Sequence, residues 1–249
     1  MNIEIKKIDG TDITEEIREI FNKFLSNVFK NLQALSLASL TPNPLLMKLV
    51  GEVAELRTAS DIVEYLINAR IERSTSTSYG STIQKIATVF SDTSGVEGAD
   101  IEIIRDTNGN GVPIKWHVQL KSGPSTVNKD ICLQTSRELQ SAVRRAPGSA
   151  GLLGITYGKA NMVSSVTHKY LTFDFKAGRE FWEFISGDSD CYKKLWLLTI
   201  DVAENYKHKS GKTLKELIED KREELTEEFK NIYGNEGEIM WEKFLEWNM

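Results

Sequence analysis

Cysteine is scarce in this chain, and its scarcity excludes two classes of small fold. Cys132 and Cys191 are the only two in 249 residues. They are too few for a disulfide framework and fit no metal-binding spacing, which points to a reducing compartment. The three histidines, His117, His168 and His208, each lack a Cys or His partner at ligand spacing, so no zinc site is expected. Long apolar runs are missing too. The longest apolar-leaning stretch, LQALSLASL, ends before Thr41-Pro42 and is too short to span a bilayer. The opening MNIEIKKIDG lacks the apolar run of a signal peptide, so a cytoplasmic protein with no membrane partner is expected. Positive charge is not in excess: 31 Lys and Arg stand against 36 Asp and Glu, a formal −5. That balance argues against a generic basic nucleic-acid coat and leaves room for a local basic cleft. No internal repeat, P-loop or Gly-x-Ser-x-Gly elbow occurs.

What is present is an ordinary globular balance, 40% hydrophobic and 27% charged, in a chain long enough for a substantial core. Ile17, Ile20, Phe21, Phe24, Leu25 and Val28 recur at helical spacing and predict a helix from Ile13 to about Leu40, capped by Asp12 or Thr14. A second helix is predicted from Ser60 to Ile71. The small polar run STSTSYGS, Ser74 to Ser81, then reads as a loop whose hydroxyls and free amides suit phosphate oxygens. Helix resumes over Ile83 to Phe90. Asp100 to Arg105 and Ile114 to Lys121 read as strands joined through Asp106-Thr-Asn-Gly-Asn-Gly, which carries two Asn-Gly turn signals: a β-hairpin. Asn128 caps a helix running to about Arg145. Gly151 to Gly158 reads as a buried strand and His168 to Phe175 as another. Helices follow from Phe181, from Cys191 to His208, and from Thr213 to Met249. Strands confined to the middle, with helices at both ends, give an α/β fold with a mixed sheet and a helical layer.

Charge follows the same division. From Lys121 to Lys176 there are eight Lys or Arg and three Asp or Glu, a balance of +5. From Asp201 to Met249 there are thirteen acidic and eight basic residues, a balance of −5. A polyanion is therefore to be sought in the middle. The run from Asp106 matches the opening of a calcium loop, but its twelfth position is His117 rather than a bidentate Glu, so a turn is the better reading. Phe181-Trp182-Glu183-Phe184 has the spacing of a helix core rather than of a base-stacking surface.

The hairpin carries the chemistry. In WHVQLKSG, Trp116, Val118 and Leu120 fall on one side, and His117, Gln119 and Lys121 on the other. Antiparallel pairing brings Asp100, at the start of the first strand, beside Gln119 and Lys121, at the end of the second. One reading is a plain solvent-facing strand. The other is a phosphodiester-hydrolysing centre, where an oxygen-bound Mg²⁺ polarises the phosphate and a lysine orients water and offsets developing charge.

Asp100…Gln119-Leu120-Lys121 resembles the signature of the PD-(D/E)XK nucleases in its glutamine variant. Asn43-Pro44, Ser78-Tyr79-Gly80, Leu120-Lys121-Ser122-Gly123, Ile155-Thr-Tyr-Gly158, Lys169-Tyr170 and Ala177-Gly-Arg-Glu-Phe-Trp182 fall around it in a familiar order. That set, from Asn43 to Leu198, resembles type II restriction endonucleases, especially those cutting an interrupted GG/CC palindrome. The resemblance implies a central mixed sheet of restriction-endonuclease-like type flanked by helices. It implies an N-terminal helical region over 1–72 for dimerisation and embracing DNA, a catalytic core over 73–200, and a C-terminal helical region over 201–249.

It also implies a homodimer acting on double-stranded DNA with Mg²⁺, Mn²⁺ being a substitute, and a cognate DNA methyltransferase. Asp100 is then the main metal ligand, Gln119 replaces the usual acid, the Leu120 carbonyl completes the shell, and Lys121 is the catalytic lysine. Glu102 or Glu97 could supply the missing carboxylate, and Gln84 stands in the preceding helix where an acid is expected. DNA would be met by Ser76, Thr77, Ser78 and Tyr79; by Ser122, Ser125, Thr126, Asn128 and Lys129; and by Gln134 and Arg137. The rival readings are a decayed DNA-binding module of the same fold and a nuclease for damaged or branched DNA.

Overall fold

The strand-like segments assemble into one sheet in the order β1 (Thr93–Ser94), β2 (Ile101–Arg105), β3 (Ile114–Lys121), β4 (Ala150–Ile155) and β5 (Asp174–Ala177). The computed structural model describes residues 3–40, 42–91, 93–94, 96–106 and 111–247. β1, β2 and β3 pair antiparallel, whereas β3, β4 and β5 pair parallel, which makes the sheet mixed. β2 and β3 are the two strands of the expected hairpin, with Ile101 opposite Val118 and Glu102 opposite His117. The Asn-Gly turn expected between them falls on residues 107–110, outside the described residues.

The parallel β3–β4 step needs a crossover, and the helix read after Asn128 provides it: α5, Lys129–Arg145. The Asn128 side chain caps it, accepting from the Ile131 N–H at 2.9 Å. Cys132, Thr135, Ser136, Leu139 and Ala142 form its buried stripe, and the helix packs on β3 and β4. In consequence, β3 is covered on both faces. His117 and Gln119 are 2% and 7% exposed, like their apolar neighbours Val118 and Leu120. The solvent-facing reading of that strand therefore fails: parallel sheets are sandwiched between layers, which removes the open face.

The chain divides into two compact units: Met1–Asn22 with Tyr79–Asn205, and Lys23–Ser78 with Tyr206–Met249. The first unit holds the sheet. It also holds α5, α6 (Ser165–Tyr170), α7 (Arg179–Ser186) and α8 (Cys191–Asn205). The second has helices and no strand among its described residues, apart from one isolated bridge between Thr58 and Glu236. It includes α2 (Leu37–Leu40), α3 (Pro44–Val53), α9 (Leu214–Tyr233) and α10 (Glu238–Glu246). Its core joins Ile62, Val63 and Ile67 to Leu225, Phe229 and Phe244. Thr213 and Glu216 form a reciprocal capping box that starts α9. Two long helices, α1 (Thr14–Gln33) and α4 (Ala59–Val89), contribute residues to both units.

Several local expectations change, among them the helix read from Ile13 to about Leu40, which ends at Gln33 and resumes at Leu37. Ser74 to Ser81 is not a loop but the middle of α4, a single helix of 31 residues. Small polar residues cost only a few tenths of a kcal/mol each in a helix, and apolar turns buried on both sides, Ile62 to Ile67 and Ile83 to Ala87, carry the helix through them. The Thr77 hydroxyl donates back to the Arg73 carbonyl at 2.8 Å, as such residues do inside helices. His168 lies in α6, started by Ser164, whose hydroxyl accepts from Val166 N at 3.0 Å, so strand begins only at Asp174. The C-terminal helix is broken between α9 and α10, where Gly234 and Gly237 take φ of 107° and 82°.

Candidate active site

Asp100 sits where the chain enters β2. Its N–H donates to the Val118 carbonyl at 2.9 Å, and its Oδ2 accepts from the Leu120 N–H at 2.6 Å. The carboxylate is thus pinned to the end of β3. Gln119 is buried, and its Nε2 donates to the Gly98 carbonyl at 3.1 Å, which leaves the amide oxygen for other work. Gly98 has φ +93°, and a Cβ there would lie 2.6 Å from the Glu138 carbonyl oxygen. Only glycine lets α5 come this close to Asp100 and Gln119.

Lys121 ends β3, and its backbone is clamped from β4. Its carbonyl accepts from Thr156 N at 3.0 Å, and the Ser122 carbonyl accepts from the Thr156 hydroxyl at 2.8 Å. The Thr156 carbonyl in turn accepts from the buried Trp182 indole N–H at 2.8 Å. This chain of hydrogen bonds holds the lysine's main chain in place.

Asp100, Gln119 and Lys121 line one open groove of about 570 Å³, together with Gln134, Arg137 and Glu138 of α5. Glu97 and Arg145 complete its rim as an ion pair at 2.7 Å. One end of the sheet thus places a carboxylate, an amide and a lysine opposite a helix face that carries Arg137, Arg145 and Glu138.

A family model described as type II restriction endonuclease EcoO109I matches residues 11–209. The chain belongs to that family. No curated protein matches it. Membership makes the protein a site-specific deoxyribonuclease, a hydrolase that binds double-stranded DNA, and its α/β architecture is restriction-endonuclease-like. Among the described residues, no helix is long and apolar enough to cross a membrane.

Type II restriction endonucleases generally use Mg²⁺. Among the described residues, no three His, Cys, Asp or Glu side chains gather closely enough to hold a metal ion, so a site here must draw on amide and main-chain oxygens. Those oxygens are present. Asp100 offers its carboxylate, Gln119 its free amide oxygen, and Leu120 a carbonyl that receives Gln84 Nε2 at only 3.4 Å, a long bond and easily yielded. An all-oxygen set fits a hard cation such as Mg²⁺ or Mn²⁺.

Glu102 is placed elsewhere in the endonuclease. It is 3% exposed, with Oε1 3.0 Å from His117 Nδ1 and Oε2 3.4 Å from Lys115 Nζ. Neither His117 ring nitrogen is aligned for a hydrogen bond, so the imidazole and Glu102 meet at ion-pair distance only. Burial pushes the His117 pKa below its usual value, against the pull of Glu102.

The DNA-facing candidates are distributed over both units. Ser76, Thr77 and Ser78 belong to the helical unit, and Tyr79 begins the α4 portion of the sheet unit. Inside a helix their backbone amides are consumed, so only side chains remain for phosphates. The Ser76 hydroxyl already donates to Glu72 at 3.0 Å. Ser125 and Thr126 are exposed in the short 3₁₀ turn Pro124–Thr126, with the Thr126 hydroxyl donating to the Gly123 carbonyl at 2.6 Å. Asn128 is spent as a helix cap. Lys129 lies 5.1 Å from the Tyr170 ring centroid as a cation–π pair. Reading the sequence missed Glu138, Ser141 and Arg145, which line the groove with Gln134. Positions 134, 138, 141 and 145 follow the i, i+4, i+7, i+11 stripe of one helix face, and that signal was available.

Proposed function

We propose that this endonuclease cuts both strands of a short palindrome as a Mg²⁺-dependent homodimer, of the kind that reads an interrupted GG/CC site, and is paired with a cognate methyltransferase in the cytoplasm. The observation that carries the reading is the meeting of Asp100, Gln119 and Lys121 in one groove beside Arg137 of α5. In this reading, the Asp100 carboxylate, the Gln119 amide oxygen and the Leu120 carbonyl hold the Mg²⁺. When bound, the ion polarises the scissile phosphate and acidifies a water. Lys121, its main chain held by Thr156, would orient a water and offset charge building on phosphorus. Arg137 and Gln134 on α5 meet the phosphates and base edges.

A homodimer follows from the economy of reading a twofold-symmetric site with two copies of one surface. Support comes from α3, where Leu45, Leu46, Leu49 and Val53 are 74%, 54%, 64% and 81% exposed. Digestion of plasmid DNA with Mg²⁺, compared with EDTA, tests the function. Discrete bands only with Mg²⁺ are expected. A smear indicates a nuclease without a defined site, and intact plasmid a decayed binding module.

A further inference from the structure

The proposed metal site is short of negative charge. Asp100 is the carboxylate that the hairpin brings to it, and Gln119 is neutral, whereas hard divalent cations favour several charged oxygens. Two nearby acids are committed to other partners. Glu102 is buried against His117 and Lys115 and does not line the groove. Glu97 reaches the rim, but its side chain is 90% exposed and bonded to Arg145.

Glu138 is placed differently. It lines the groove with Asp100, Gln119 and Lys121 and comes from the helix turn that meets Gly98. The same Gly98 carbonyl holds the Gln119 amide nitrogen, so one residue ties Gln119 and the Glu138 turn together. Glu138 Oε1 accepts from Gln134 Nε2 at 2.8 Å. A carboxylate oriented through one oxygen by a neighbouring amide is the arrangement that metal-ligating acids use, since outer hydrogen bonds fix the inner ligand.

We propose that Glu138 supplies the second carboxylate of the metal site, in place of the acid missing at position 119, with Gln134 as its positioning residue. The inference rests on the groove being a metal-dependent nuclease centre. It moves Gln134 from contacting DNA to supporting the metal.

Calorimetric titration of the full-length protein with Mn²⁺ decides it, alongside the Mg²⁺ dependence of plasmid cleavage. Glu138→Gln is nearly isosteric, and its amide oxygen still accepts from Gln134, so the helix is kept, as an unchanged thermal midpoint checks. Mn²⁺ affinity should fall about tenfold or more in Glu138→Gln, and the Mg²⁺ needed for half-maximal cutting should rise in step. Gln134→Leu should show a smaller loss of the same kind, because it frees rather than removes the carboxylate. Unchanged Mn²⁺ binding in Glu138→Gln overturns the proposal, as does loss of binding in Glu97→Gln with Glu138→Gln unaffected. If the wild type does not cut with Mg²⁺, the nuclease reading fails, while the Mn²⁺ titration still decides the role of Glu138.

Discussion

The sheet unit and the helical unit differ most in what they bury. Of the eleven buried polar residues among those described, ten belong to the sheet unit and only Thr226 to the helical one. The helical core is held by apolar and aromatic packing. Phe229 stacks near Tyr233 and Phe244 at centroid distances of 4.6 and 5.7 Å. The sheet unit instead buries Glu102, His117 and Gln119 within a few residues of Asp100 or Lys121, and Thr156 against the Lys121 carbonyl. Burying polar groups costs stability unless they are paired, and most of these are: Gln119 to Gly98, Thr156 to Ser122, Ser136 to Thr172. The difference teaches that one unit is built for cohesion, while the other accepts a costlier interior to hold a few side chains in fixed directions.

The comparison is broken most severely from the helical side. Phe229→Ala removes a fully buried ring from the aromatic cluster and should cost about 3–5 kcal/mol, seen as a lower urea midpoint by circular dichroism. A loss under about 1 kcal/mol would mean that this core is not what holds the unit together. Lys121→Ala acts in the opposite way. Cleavage should drop by on the order of 10² or more, while the unfolding midpoint and DNA binding stay close to wild type. Residual cutting within a few-fold of wild type removes Lys121 from the mechanism.

Both cysteines lie in the sheet unit, so thiol labelling reports on that unit alone. Burial pushes the Cys191 thiol up to about 11. Its thiol stays protonated when folded, so its contribution to stability is present below the unfolded value of 9.0 and is lost as pH rises toward about 11. At pH 8 the native thiolate should be about a hundredfold scarcer than in the unfolded chain, and alkylation should wait for unfolding. Fast native labelling at pH 8 contradicts that burial.

Gln119 sharpens the comparison from within the site. Gln119→Leu strands the Gly98 carbonyl and removes the amide oxygen, so it should lose cleavage and about 1–3 kcal/mol of stability. Gln119→Glu keeps an oxygen for the cation and should cut at lower Mg²⁺, though it sacrifices the donor to Gly98. Identical Mg²⁺ curves for all three proteins end the metal-ligand reading. The smallest effect is expected at Thr213→Ala, which removes half of the α9 capping box at a cost of about 1 kcal/mol, with cleavage per folded molecule unchanged.

Local pattern made much of this legible from residues alone. Asn128 before an amphipathic run marks α5, and alternation over Trp116 to Lys121 marks β3. An acid and a lysine at the open end of a hairpin must converge, because antiparallel pairing leaves no other place for them. Periodicity of 2 or 3.6 and short-range capping are properties of neighbours in the chain, so the sequence by itself determined these elements and with them the nearness of Asp100, Gln119 and Lys121. It could not determine where distant segments meet. That α4 runs unbroken through Ser74 to Ser81 depends on buried anchors on both sides. That residues 1–22 group with the sheet, and that Gly98 admits the Glu138 turn to the groove that Asp100 lines, depend on contacts between segments far apart in the chain. Only the tertiary structure decided those, because the energy of a buried pair exists only once folding has brought its two members together and removed the water between them.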